Sequence, residues 1–405
     1  MAEETNTRPV DTKEFYPSDL FGYSNDLTDG ELEVLKELRE ALEEHARPVL
    51  TEYTEKAEFP FDAWDEVTKV GFMNDERLFE DRENKLQTSE LFNVFRYFEL
   101  AKMDPSFATL YTVHGGLFYA SLLYGGTDEQ IERWAPDVTS FNNLTCFGLT
   151  EPDHGSDIAG GLATSARREG DSWILNGEKR WIGGAKNADE VVIFARDVED
   201  KKVKAFVVSG ETEGFSVENI KHKVALRMVP NGHITMKDVK VSDDRRLPNV
   251  NGFGDVAQIL QRTRADISHL AAGLTAGAFE AALRYVKERE QFGKKIGSFQ
   301  LVQEKLSIMQ ANVTATLAYS VRLAQLQEEG NYSEVNSAMS KMHNALRMRE
   351  TVALAREVVG GNGITLDTDV ARFFTDAEAI YSYEGTHEIN ALIVGRYLTG
   401  EGAFV

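Results

Sequence analysis

A single cysteine, Cys146, stands in a chain of 405 residues. Its isolation excludes an intrachain disulfide and any metal site built on several thiolates, suits a reducing compartment, and leaves the thiol to serve as a small core residue. Histidine offers no substitute: His114, His154, His222 and His387 fall at the spacing of no standard ligand set and read as surface or loop residues, so no metal is expected. No apolar run is long enough to cross a bilayer, and no membrane association is expected. The polar, acidic lead from Met1 to Pro9 has neither the apolar stretch of a secretion signal nor the Arg-rich, acid-poor character of an organelle presequence. The final Ala403-Phe404-Val405 is not a peroxisomal address. A cytoplasmic protein is the expectation. Basic residues are also in deficit, 44 Lys and Arg against 66 Asp and Glu, for a net charge of -22. That excludes nucleic acid or an anionic membrane as a partner held by bulk electrostatics. The acid excess serves solubility, and a salt-rich habitat is the other setting that produces it.

What is present is enough chain for more than one core, since single cores stop growing at roughly 250 to 300 residues. Thr28 and Glu31 form a capping-box pattern ahead of Leu35, Leu38, Leu42 and Ala46 at helical spacing, with an end or kink near Pro48. Further helices are expected over 61–70, 89–102 and 107–124, the last apolar nearly all round. A short amphipathic one from Asp128 is expected to stop at Pro136. From Thr145 the texture changes to short strands over 145–149, 173–175, 191–195, 205–208, 215–217 and 233–239, with Asn176-Gly177 reading as a hairpin turn. Helical periodicity returns near Phe253 and predicts long helices over 259–286, 299–327, 334–359 and 387–398. The expected organisation is a helical segment (28–143), a β-domain (144–245) and a C-terminal helical bundle (250–405).

Five stretches carry candidate chemistry. In Tyr381-Ser382-Tyr383-Glu384-Gly385-Thr386-His387-Glu388, a carboxylate sits between an aromatic and a glycine just before a helix start. Either it is a surface turn, or Glu384 is a general base whose pKa burial raises toward neutrality. Cys146-Phe147-Gly148-Leu149-Thr150-Glu151-Pro152-Asp153-His154-Gly155-Ser156-Asp157 is a strand running into a turn. It reads either as a decorated β-turn or as a grip on a ring carbonyl and a phosphate, and the second reading requires Glu151 and Asp153 to point away. Trp181, in Lys179-Arg180-Trp181-Ile182-Gly183-Gly184, is a strand anchor or a wall beside a planar group, and the glycines permit close approach. Arg289, in Arg289-Glu290-Gln291-Phe292-Gly293, is a surface charge or a planar fork for a pyrophosphate. Glu357-Val358-Val359-Gly360-Gly361-Asn362-Gly363 reads by itself as a helix C-cap.

In this order the five stretches resemble the acyl-CoA dehydrogenase and acyl-CoA oxidase superfamily, from about Asp29 to Phe404. Leu149-Thr150-Glu151-Pro152-Asp153, Leu226-Arg227-Met228-Val229, and Tyr383-Glu384-Gly385-Thr386 with Gly395-Arg396 and Thr399-Gly400 are most similar to the branch of the glutaryl-CoA dehydrogenases and plant short-chain acyl-CoA oxidases. The resemblance implies an N-terminal helical domain, a middle β-barrel-like domain and a C-terminal four-helix bundle. It implies FAD as cofactor and oxidation of an acyl-CoA to the trans-2-enoyl-CoA, with Glu384 taking the α-proton while the β-hydrogen leaves as hydride to the flavin. The Glu384 N–H would help to hold the thioester oxygen. By the same resemblance FAD is contacted by Phe147, Leu149, Thr150, Ser156, Trp181, Ile182 and Gly183. A neighbouring subunit of a homotetramer would add Arg289, Gln291, Phe292, Gln300, Glu357, Gly360 and Gly361, with Thr386 and Glu388 near the adenine. Ser156, Arg264 and Gly385 match substrate-contacting positions.

Three positions depart from the family pattern. Gly183 stands where many dehydrogenases carry a hydroxyl residue, as in the plant oxidases, so an electron-transferring flavoprotein and O2 (giving H2O2) both remain as acceptors. Glu357 stands where a Gln is common. Ala108 aligns with the Arg that holds the distal carboxylate in glutaryl enzymes, and an unpaired buried carboxylate costs roughly 3–5 kcal/mol. A short or medium apolar acyl chain is therefore preferred over glutaryl. Two other classes compete: a flavin monooxygenase or nitroalkane-oxidase relative, which Tyr383-Glu384-Gly385 opposes, and a non-catalytic interaction protein, which the set of flavin-facing stretches opposes.

Overall fold

A computed structural model describes residues 8–80 and 82–402. The residues 1–7 and 403–405 that were read for targeting signals lie outside the described residues.

Helix α1 (Asp29–Ala41) opens with the expected capping box: Thr28 Oγ1 accepts from the Glu31 N–H, and Glu31 Oε2 accepts from the Thr28 N–H. The distortion expected near Pro48 is a change of helical pitch. A π turn (Leu42–Ala46) and a 3-10 turn (Arg47–Val49) carry the chain into α2 (Leu50–Lys56), because buried Leu42, Ala46 and Leu50 keep the segment on the core. α3 (Phe61–Thr68) and α4 (Glu90–Met103) follow, the latter capped by Ser89. The apolar helix then comes in three pieces: α5 (Pro105–Tyr111), a π-helical stretch (Thr112–Phe118) and α6 (Tyr119–Gly125). α7 (Asp128–Thr139) runs past Pro136 rather than stopping there. Buried Trp134, Ala135 and Val138 anchor both sides of the proline, and their packing outweighs one lost hydrogen bond.

Strands β1 (Thr145–Gly148), β2 (Ser165–Glu169), β3 (Ser172–Gly183), β4 (Glu190–Asp197), β5 (Val203–Ser209), β6 (Phe215–Asn219), β7 (Asn231–Ser242) and β8 (Arg246–Leu247) form one sheet in the order β6-β7-β3-β2-β4-β5-β8, with β1 parallel to β4. Asn176-Gly177 is not a hairpin turn, because β3 runs through it with a bulge. The Asn176 side chain exchanges two hydrogen bonds with Asp238, and Gly177 has φ +145°, where a Cβ would lie 2.6 Å from Thr164 Oγ1. The hairpin turns at Gly170-Asp171 instead, between β2, which the sequence reading did not include, and β3.

After the sheet come α8 (Phe253–Glu288), a small hairpin of β9 (Glu290–Gln291) and β10 (Lys294–Lys295), α9 (Gln300–Glu328), α10 (Glu334–Val359), α11 (Asp369–Ser382) and α12 (His387–Thr399). α11 occupies what reads in sequence as an apolar and aromatic run.

The chain packs as two compact units, one of residues up to 53, 60–108 and 265 onward, the other of 54–59 and 109–264. In the first, a buried polar network fixes helix register. Ser268 Oγ and Ser340 Oγ are 2.5 Å apart, and Asn344 Nδ2 lies within hydrogen-bond reach of Ser268, the Thr316 carbonyl and Ser320. In the second, Cys146, Trp173, Leu175, Val191, Phe206 and Ile234 belong to one core, and the Trp173 Nε1–H donates to Asp243. The thiol is buried as expected. No helix among the described residues is long and apolar enough to cross a membrane.

His114, expected at the surface, is fully buried in the π-helical stretch. The ring stacks on Phe141, Nε2 donates to the Val138 carbonyl (2.9 Å), and Nδ1 accepts from the Thr145 N–H (3.2 Å). Burial lowers its pKa to about 4. The unfolded chain therefore binds a proton that the folded chain rejects, so the stabilisation is complete above the ordinary value of 6.5 and is lost as pH falls toward 4. Between about pH 8 and pH 5 this residue alone should cost roughly 2 kcal/mol. Denaturant unfolding should show a His114→Gln variant that is less stable near pH 8 but has lost that part of the pH dependence; equal pH dependence in both proteins contradicts this.

Candidate active site

The carboxylate of interest lies between two helices of the first unit. α11 ends at Ser382, Tyr383 is extended, and Thr386 caps α12 by accepting from the Ile389 N–H (3.2 Å). The three residues from Tyr383 to Gly385 must reverse the chain. They do so with consecutive left-handed residues, Glu384 at φ +54° and Gly385 at φ +85°. Glycine tolerates that conformation, whereas for Glu384 it costs about 1–2 kcal/mol. The turn is held from inside. Lys341 Nζ, on α10, donates to the Tyr381 carbonyl (2.7 Å) and the Gly385 carbonyl (2.9 Å). Asn390 Nδ2 donates to Gly385 O (2.9 Å) and Thr386 O (3.0 Å). Glu384 is half-buried, as are Gly385 and Thr386. Glu388 is exposed in the first turn of α12, and its carboxyl is held below the ordinary range by its backbone N–H and the Thr386 side chain.

The remaining expected residues of this unit are exposed. Arg289 follows α8, Gln291 and Phe292 lie on the hairpin, and Gln300 starts α9. Phe292 is 92 % exposed at φ +53°. Gly360 and Gly361 follow α10, and Glu357 near its end pairs with Lys305 at 2.5 Å. The carboxylate that departs from the family pattern is therefore paired with a lysine of α9.

In the second unit, β1 delivers Phe147 and then the Leu149-Thr150-Glu151 turn. Of the two acids that the phosphate-grip reading requires to point away, Asp153 is exposed and Glu151 faces inward: the Glu151 carboxylate accepts from the N–H groups of Ala163 (2.6 Å) and Thr164 (2.9 Å) and from Lys179 Nζ (2.8 Å). Lys179 Nζ also donates to the Leu149 carbonyl, and the Arg180 N–H to the Thr150 carbonyl. Burial pushes the Glu151 carboxyl up, but Lys179 and the surrounding donors outweigh it and leave it below the ordinary range. Burial lowers the Lys179 ammonium to about 8 against the attraction of Glu151. With these acceptors committed inward, Thr150 is left half-buried and Ser156 exposed. Along β3, Trp181 is 54 % exposed at φ +68°, while Ile182, Gly183 and Gly184 are buried. A Cβ on Gly183 would lie 3.2 Å from a methyl of Val113, and one on Gly184 would lie 3.2 Å from Leu110 Cδ1. Arg264 is buried on α8 at the end of this unit's residues.

Sequence reasoning missed Lys341, Asn390 and Lys179. Each acts through backbone carbonyls or a side chain remote in sequence, and a lone Lys or Asn on a helix or strand carries no periodic signal. Only the adjacency of Lys179 to Arg180-Trp181 drew notice.

A helical segment, a sheet and a helical bundle in succession, with a carboxylate turn on the bundle and an exposed indole on the sheet, are the arrangement that the resemblance to the flavin-dependent acyl-CoA dehydrogenases implies. Sequence profiles for the acyl-CoA dehydrogenase N-terminal, middle and C-terminal domains match residues 28–142, 146–239 and 250–399. The chain belongs to the acyl-CoA dehydrogenase family, FAD enzymes that act on the CH–CH group of acyl-CoA. The caffeyl-CoA reductase-Etf complex subunit CarC of Acetobacterium woodii is 30% identical over 361 residues, covering 86% of this chain and 93% of that protein. The mitochondrial short-chain specific acyl-CoA dehydrogenase of Bos taurus is 31% identical over 304 residues, 74% of each. Two crystal structures of glutaryl-CoA dehydrogenase from Mycobacterium smegmatis match with TM-scores of 0.88 at 33% and 29% identity, over 96% of this chain and 99% of theirs; the second is in complex with FADH2.

The residues on the sheet fit FAD. An indole held outward in a left-handed conformation and a turn whose Glu151 carboxylate is locked inward suit a planar ring and a phosphate, while Gly183 and Gly184 are buried against Val113 and Leu110. Replacing Lys179 with Met strands the buried Glu151 carboxylate. Lys179→Met should lower stability by roughly 3–5 kcal/mol and reduce FAD content, as read by denaturant unfolding and the flavin-to-protein absorbance ratio; unchanged stability contradicts the assignment of this pair.

Proposed function

We propose that the enzyme converts a short- or medium-chain acyl-CoA to the trans-2-enoyl-CoA, with Glu384 as the α-proton base and an electron-transferring flavoprotein as acceptor. The observation that carries this reading is the left-handed Glu384 turn, a strained conformation held by three hydrogen bonds to the Gly385 and Tyr381 carbonyls. FAD, when bound, supplies the hydride acceptor. The chain supplies the rest. Glu384 takes the α-proton on a carboxylate oxygen, and its N–H steadies the thioester oxygen. Ser156, Arg264 and Gly385 contact the thioester and its CoA, and Phe147, Leu149, Thr150, Trp181, Ile182 and Gly183 orient the ring.

Homotetrameric assembly belongs to the same proposal. Exposure of Arg289, Gln291, Phe292, Gln300, Gly360 and Gly361 supports their use by a neighbouring subunit's FAD, with Thr386 and Glu388 near the adenine. A role in β-oxidation and a cytoplasmic setting go with it. The name of the Acetobacterium woodii relative, a subunit of an Etf complex, supports the flavoprotein acceptor. Glutaryl-CoA is disfavoured because Ala108, fully buried, brings no cation to the distal carboxylate. The oxidase reading keeps one specific support: Gly183 has no hydroxyl, and the Val113 methyl 3.2 Å from the position of a Cβ crowds the space for one.

Glu384→Gln should purify yellow, yet bleach on anaerobic addition of acyl-CoA roughly 1000-fold more slowly than the parent. Normal bleaching removes Glu384 from the reaction. Peroxide formed in air during turnover would replace the flavoprotein acceptor with O2.

A further inference from the structure

We propose that Lys341 is the positioning residue of the active-site turn, setting the Glu384 carboxylate and N–H by holding the carbonyls on both sides of it; this rests on the reading of Glu384 as base. Lys341 is 1% exposed. Its ammonium contacts the Tyr381 carbonyl in the last turn of α11, three residues before Glu384, and the Gly385 carbonyl, one residue after it. Carbonyls in the last turn of a helix lack helical partners, and a cation there also meets the negative end of the helix dipole. A flexible stem ending in a compact charge with several donors suits two carbonyls that approach from different directions.

The anchor behind the ammonium is rigid. Neighbouring Ser340 is tied to Ser268, and Asn344, one turn on, is tied to α8 and α9 through Ser268, Thr316 and Ser320. The ring of Tyr381 is fixed as well, stacked on His387 and covered by the Arg349 guanidinium. A left-handed glutamate relaxes to ordinary backbone angles unless its surroundings over-determine it. Lys341 and Asn390, which share the Gly385 carbonyl, both restrain that turn. Loss of the ammonium frees the Tyr381 carbonyl and leaves Asn390 alone on the Gly385 carbonyl, which lets the carboxylate leave its attacking position, while the CoA- and FAD-contacting residues outside the turn stay as they are.

The test compares the parent, Lys341→Met, Lys341→Arg and Glu384→Gln as FAD-loaded proteins. Each is assayed for flavin bleaching by saturating butyryl-CoA under anaerobic conditions and for binding of crotonyl-CoA by flavin spectral perturbation. Lys341→Met should bleach at least tenfold more slowly at saturation while its crotonyl-CoA affinity changes less than threefold, and Lys341→Arg should recover part of the rate. Should Lys341→Met not yield folded yellow protein, Lys341→Gln, which keeps an uncharged N–H donor group, is judged by the same criteria. A Lys341 variant that bleaches at the parental rate while Glu384→Gln is inert overturns the positioning role and leaves the base in place. Normal bleaching by Glu384→Gln instead overturns the reading beneath both. A rate loss matched by an equal loss of affinity assigns Lys341 a general structural role and also overturns the proposal.

Discussion

In each of the two units, a buried ammonium bonded to main-chain carbonyls is the interaction on which a turn carrying candidate residues depends. In the helical unit Lys341 spans Tyr381 O and Gly385 O; in the sheet unit Lys179 spans Leu149 O and the Glu151 carboxylate. Each lysine is almost wholly removed from water, a state that costs several kcal/mol for an ion unless strong acceptors surround it. Charge-assisted hydrogen bonds to carbonyls and a carboxylate offset that cost. What remains is geometry: two turns that short loops alone would leave mobile are fixed by side chains from neighbouring elements.

The precision of that fixing is inherited from packing. α10 carries Lys341, and its register against α8 and α9 is set by small polar side chains, Ser340 and Asn344 among them, that tolerate only one pairing without leaving a donor unsatisfied. A greasy seam would allow sliding at little cost. In the sheet unit, the bulge at Asn176-Gly177 lies two residues before Lys179 and determines which face of β3 the ammonium takes. Sequence, register and side-chain aim are thus linked in both places.

Much of this was legible in the residues. The Thr28–Glu31 box, the span of α10 from Glu334 to Val359 and the Glu384-Gly385 turn ahead of a capped helix follow from local chemistry, and local chemistry is what a sequence states. What stayed hidden depends on remote neighbours. Asn176-Gly177 has the composition of a hairpin turn, but Thr164 and Asp238, far along the chain, make it a bulge. Pro136 reads as a stop until the burial of Trp134 and Val138 is known. His114 reads as a surface residue until Val138 and Thr145 are seen to bracket its ring. The carboxylate was visible; the lysine that aims it was not, since nothing local distinguishes Lys341 from the other lysines.

The central claim is that position 384 presents a carboxylate to the α-carbon of a bound thioester. A crystal structure of the FAD-loaded protein with a non-oxidisable acyl-CoA analogue measures that directly. The account predicts a Glu384 carboxylate oxygen within roughly 3.5 Å of that carbon, with Lys341 still on both carbonyls. A carboxylate turned to solvent while the acyl chain lies elsewhere would contradict it.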